Sequence, residues 1–118
     1  MTKPLGPYSP ILRMGDYLFA SGQVGTIGET GVVGDIATQT RDALHKLREL
    51  VESAGVTTDQ IAKTTVFLTD MADFSAVNEI YAEFFGDHRP ARSCVAVAAL
   101  PGQAIFEIEA VIYHPESE

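Results

Sequence analysis

The sequence predicts one α+β domain over residues 1–118, with two helices laid on one face of a sheet. Three observations carry this. The apolar patterns alternate between strand and helix periods in the order β-β-(β)-α-β-α-β-β. Each helical pattern has a single apolar stripe, so the pair covers only one side of a sheet. The last strand pattern puts Ala104, Phe106, Ile108, Ala110 and Ile112 on one face and Ile105, Glu107, Glu109 and Val111 on the other. The first face is fit for a core. The second mixes acids with branched aliphatics, and a second subunit is its expected cover.

The elements follow in order. Pro4, Gly6, Pro7 and Pro10 make the start an extended edge or loop, because proline lacks the ladder donor. Tyr8 sits among these stiff neighbours. Residues 11–13 and 17–21 read as a hairpin about the turn Met14-Gly15-Asp16. Gly25, Gly28, Gly31 and Gly34 predict a loop, with a short strand around Val32 and Val33. The first helix spans 36–54, with a stripe of Ile36, Thr40, Ala43, Leu44, Leu47, Leu50, Val51 and Ala54. Asp35 is its expected cap and Gly55 its stop. A strand covers 62–68, with Thr64, Val66 and Leu68 on one face. The second helix covers about 71–85, capped by Asp70, with Phe74, Val77, Tyr81 and Phe84 as its stripe. Residues 90–97 and 104–112 form a strand pair separated by the Pro101-Gly102 turn.

Composition bounds the function. The formal net charge of −8, from 16 acids and 8 bases, opposes binding of nucleic acid or anionic membrane through a basic surface. His88, Arg89 and Arg92 form the one small basic group. The lone Cys94 precludes an intrachain disulfide, which suits a reducing compartment. No apolar run approaches the roughly 20 residues of a membrane span, and no secretory leader is apparent. A cytoplasmic location is expected.

Metal and phosphate motifs are not evident. His45, His88 and His114 show no ligand spacing. The glycines at 25, 28 and 31 lack the Gly-x-Gly start of a dinucleotide loop and open no helix. Arg92 and Glu107 are the residues of interest. They read either as an interface ion pair or as a site for a small carboxylic acid. In the second reading the guanidinium fork holds a carboxylate, and a desolvated glutamate shuttles a proton. Glu109 is the weaker acid, a structural partner on the same face. Cys94 shares the face of Arg92 and Ala96 and reads as a small buried apolar residue. Asn78 lies on the flank of the second stripe, where plain solvent exposure is the alternative to a role.

Taken together, Gly6-Pro7-Tyr8, Ser21-Gly22-Gln23, residues 63–68 (KTTVFL), Asp73-Phe74, Val77-Asn78, residues 90–95 (PARSCV), Leu100-Pro101 and Ile108-Glu109-Ala110 resemble the Rid (YjgF) family, and its reactive intermediate deaminase A subgroup most. The resemblance covers nearly the whole chain in order. It implies a chorismate-mutase-like α+β fold with a mixed, mainly antiparallel sheet and two helices packed on one face. It implies a homotrimer with active sites between subunits. The implied reaction is cofactor-free, metal-free hydrolysis of 2-imino acids, such as 2-iminobutanoate and 2-iminopropanoate, to 2-oxo acids and ammonia. By the same resemblance Arg92 binds the substrate carboxylate, the backbone at Cys94 meets the imine nitrogen, Glu107 activates water, and Tyr8 of a neighbouring subunit closes the pocket. Ser21, Asn78 and Pro101 also stand at family site positions.

Two rival classes remain. One is a ligand-binding or chaperone-like protein, which needs exposed apolar surface. The other is a ribonuclease or translation inhibitor, which the negative charge disfavours.

Overall fold

A computed structural model describes residues 6–116 of the chain. Five strands form one sheet in the order β1-β2-β7-β5-β6: β1 (Ile11–Met14), β2 (Tyr17–Gln23), β5 (Ile61–Leu68), β6 (Ala91–Ala96) and β7 (Phe106–Tyr113). Two short strands, β3 (Ile27–Gly28) and β4 (Gly31–Val32), pair as a separate hairpin inside the glycine-rich loop. Helices α1 (Ile36–Ser53) and α2 (Phe74–Phe85) complete the expected α+β architecture.

The sheet is antiparallel except for β5 and β6, which run parallel across the α2 crossover. That crossover corrects the expectation of a β6–β7 pair. Strand β5 lies between them, with Leu68 opposite both Ala96 and Phe106. A parallel return needs a connection long enough to reverse the chain, and α2 supplies it.

The caps hold as the residues suggest. Asp35 Oδ1 accepts from the Thr38 N–H at 2.9 Å, and this bond holds the Asp35 carboxyl below its ordinary range. Gly55 follows α1 at φ +82°, a left-handed conformation that glycine adopts at little cost. Asp70 caps a short 3₁₀ turn, Met71–Asp73, and α2 begins only after it.

Both helices lie over one sheet face. Leu44, Leu47, Val51 and Val77 meet Val66, Leu68, Phe106, Ile108 and Ile112 in the core, all at most 1% exposed. Burying each such side chain contributes about 1.5–3 kcal/mol. On α2 the buried set is Val77, Ile80, Tyr81 and Phe85. The expected Phe74 and Phe84 are only partly buried, because the stripe rotates toward Ile80 and Phe85. Thr40 donates to the Ile36 carbonyl at 2.7 Å, which lets a hydroxyl sit in the core.

The opposite face is uncovered within the chain. Leu12, Met14, Tyr17, Phe19, Val95 and Tyr113 are all exposed there. No helix among the described residues is long and apolar enough to cross a membrane.

Candidate functional site

The expected site residues fall into two groups on opposite faces of the sheet. Arg92 and Cys94 on β6 stand in register with Thr64 and Val66, whose side chains meet the helices. Glu107 stands in register with Phe67, on the open face. An Arg92–Glu107 ion pair therefore does not form within the chain. Each strand alternates as expected, but the register through β5 sets the two strands in opposite phase.

The first group is built around Arg92. Its Nη1 donates to Asn78 Oδ1 at 2.8 Å. Its Cζ lies 4.8 Å from the Tyr81 ring centroid and 5.5 Å from that of Phe74, within cation–π range. Phe74, Asn78 and Tyr81 recur at i, i+4 and i+7 along α2 and so share one helix face. Tyr81 is anchored by a 2.7 Å bond between its hydroxyl and Thr64 Oγ1. Burial pushes the Tyr81 phenol up, against the lowering effects of the Thr64 bond and the Arg92 charge. No described acid pairs with Arg92; the one ion-pair contact among the described residues joins His45 and Glu49. Cys94 is partly buried against the core. Burial raises its thiol pKa, with Arg92 opposing, so it is a protonated packing residue in this state.

The second group gathers on the open face. Strand β2 carries one extra residue between Ala20 and Gln23 relative to β7. That bulge holds Gly22 beside Glu107. A Cβ placed on Gly22 would overlap the Glu107 carboxylate, so only glycine leaves room for it. Burial pushes the Glu107 carboxyl above its ordinary range, and the like charge of Glu109 adds to this. Glu109 itself is exposed. Ser21 Oγ donates to the Ser9 carbonyl at 2.7 Å, and the Ser21 N–H donates to the Pro10 carbonyl at 2.9 Å. Ser21 thus ties down the segment that carries Tyr8. Tyr8, Ser9, Phe19, Ser21 and Glu109 line a shallow groove of about 390 Å³.

Other candidates disperse. His88 Nε2 donates to the Ile61 carbonyl at 2.7 Å and serves the fold. Arg89 is exposed, and its charge reaches the Tyr81 phenol together with that of Arg92. The glycine-rich loop forms a hairpin packed near Gly102. Among the described residues no three His, Cys, Asp or Glu side chains gather as a metal site requires. Sequence reading missed the contacts of Tyr81 and Gly22. The i, i+4, i+7 spacing of Phe74, Asn78 and Tyr81 is the signal that points to the first. No local signal marks the second.

Comparison with known proteins identifies the family. A family model described as Endoribonuclease L-PSP matches residues 1–114. The 2-iminobutanoate/2-iminopropanoate deaminase of Escherichia coli K12 is 43% identical over 111 residues, covering 91% of this chain and 87% of its own. A Thermotoga maritima crystal structure described as an endoribonuclease superposes with a TM-score of 0.88 at 44% identity, covering 97% of this chain and 91% of the other. The structure of E. coli TdcF with bound serine superposes with a TM-score of 0.86 at 38% identity, covering 94% and 91%. The chain belongs to the Rid (YjgF) family, the family of that L-PSP model.

Proposed function

We propose that this protein hydrolyses small 2-imino acids, 2-iminobutanoate and 2-iminopropanoate among them, to 2-oxo acids and ammonia, at sites formed between copies of the chain in a homotrimer. The observation that carries this reading is Arg92. Its guanidinium is partly buried, spends one N–H on Asn78, and has no described acid beside it. A desolvated cation of that kind wants an anion, and the fork matches a carboxylate. The serine held by TdcF supports a small carboxylate in this family. The identity with a named imine deaminase supports the reaction.

In this mechanism Arg92 binds the substrate carboxylate, and the backbone at Cys94 meets the imine nitrogen. Glu107 takes a proton from water as the water oxygen bonds to the imine carbon, and the C=N pair moves to nitrogen. That proton passes to nitrogen to give a carbinolamine. The hydroxyl proton then moves by way of Glu107 to the amine, the C–N bond breaks as the C=O bond forms, and ammonia leaves with the 2-oxo acid behind. The imine carbon is already electrophilic, so orientation and one proton-transfer group suffice, the latter contributing about 10²–10⁴-fold. Tyr8, on the segment tied by Ser21, closes the pocket. Because Arg92 and Glu107 face opposite ways in one chain, a second copy has to bring its β6 region to the open face of the first. The exposed apolar side chains on that face favour such a contact.

The test is the release of 2-oxobutanoate from threonine by threonine dehydratase in amine-free buffer, with and without this protein. Acceleration that Arg92→Ala abolishes is expected; an unchanged rate overturns the assignment. The endoribonuclease descriptions favour a second reading, RNA cleavage. The formal charge of −8 opposes it. Salt-sensitive cleavage of a single-stranded RNA by the same preparation would establish it.

A further inference from the structure

Arg92 is held from three sides. Asn78 takes one N–H at 2.8 Å, and the Tyr81 and Phe74 rings lie 4.8 and 5.5 Å from the guanidinium carbon. Of the two rings, only Tyr81 is itself locked. Its hydroxyl bonds Thr64 Oγ1 at 2.7 Å in the interior, and Thr64 is the cross-strand partner of Arg92. Guanidinium, ring, hydroxyl and strand register thus form a closed circuit. An arginine side chain is rich in rotamer freedom. A binding site that leaves this freedom in place loses it when ligand arrives, and one that removes it beforehand binds more tightly.

We infer that Tyr81 is a positioning residue for carboxylate capture: its ring fixes the plane of the Arg92 guanidinium, and its hydroxyl, tied to Thr64, fixes the ring. The buried stripe of α2 then has two jobs. Ile80 and Phe85 pack the core, while Tyr81 aims the cation. Asn78 takes up one edge of the guanidinium, so the remaining N–H groups are presented to the acid in one orientation. The inference rests on the assignment of Arg92 as the carboxylate-binding group.

The experiment uses the full-length protein and 2-oxobutanoate, the product acid, titrated calorimetrically against wild type, Arg92→Ala, Tyr81→Leu, Tyr81→Phe and Thr64→Val. Tyr81→Leu is expected to raise Kd about ten-fold. Tyr81→Phe keeps the ring and Thr64→Val keeps the shape of residue 64; each is expected to raise Kd only about three-fold. In turnover the same losses are expected in KM, with kcat within about two-fold of wild type. A tyrosine that merely packs lowers the melting temperature and leaves Kd unchanged. Loss of binding in Arg92→Ala together with wild-type affinity in Tyr81→Leu overturns the inference alone. Should Tyr81→Leu fail to fold, wild-type affinity in both Tyr81→Phe and Thr64→Val overturns it. Undiminished binding by Arg92→Ala, or no binding by the unaltered protein, overturns the Arg92 reading and this inference with it.

Discussion

The Glu107 carboxylate occupies the space that a side chain at Gly22 would fill. The β2 bulge brings that backbone to the acid, and the missing Cβ lets the acid lie flat against it. The relationship is steric, so it predicts a variant that damages the site without damaging the fold.

Gly22→Ala is predicted to lower kcat for imine hydrolysis by about 10²-fold, the lower end of what a displaced proton-transfer group costs. The overlapping atoms belong to the far end of a flexible side chain, so stability should change by less than about 1 kcal/mol. Turnover and melting temperature measured on one preparation check both halves. Wild-type kcat in a folded Gly22→Ala protein would show that the Glu107 position does not matter.

The raised Glu107 pKa sets a pH dependence. Burial is its first cause and the Glu109 charge its second. A carboxyl raised on folding contributes stability that is complete below its unfolded value and is lost as pH rises through its folded value. Glu107→Gln cannot ionise and escapes that loss. The variant should therefore gain stability relative to wild type between about pH 4 and pH 7. Urea midpoints at the two pH values test this, and a gain in the opposite direction contradicts it. In the proposed mechanism the basic form of Glu107 does the chemistry, so the wild-type rate should climb with pH through an ionisation above the ordinary glutamate value. Glu107→Gln should lack that limb.

Arg92→Lys keeps the charge and loses the fork. A lysine cannot donate in parallel to a carboxylate or stack its planar head on Tyr81. The predicted result is a KM raised at least about ten-fold, with the fold intact. A lysine variant with wild-type KM would reduce the role of Arg92 to simple charge.

The core makes an ordinary prediction. Ile108 is fully buried on the central strand β7. Ile108→Ala should cost about 2–5 kcal/mol, the transfer term plus a cavity. Denaturant unfolding at unchanged m-value is the measurement, and a loss below about 1 kcal/mol would mean that the site collapses around the deletion.

Much of the fold was legible because it is periodic and local. Asp35 and Gly55 mark both ends of α1, and the alternation in β7 assigns every side chain to its face. Strand neighbours were not legible, because period-two alternation says nothing about which strand lies alongside. That is why β6 and β7 read as a pair although β5 separates them. The same gap hid the division of the site. Arg92 and Glu107 each had a correct face within its own strand, and only the shared register with Leu68 reveals that the faces differ. Asn78 was legible as a flank residue, but its partner on β6 was not, because a helix stripe counts apolar residues and passes over a polar contact.

The opposed faces of Arg92 and Glu107 have a genetic consequence. If each site borrows its arginine from one copy and its glutamate from the next, two dead proteins can repair each other. Arg92→Ala and Glu107→Ala chains, each inactive alone, would when unfolded and refolded together in equal amounts restore about a quarter of the wild-type sites in any closed ring. Chains mixed without refolding would restore none until subunits exchange. Interallelic complementation of this kind is the signature of a catalytic unit that no single polypeptide owns.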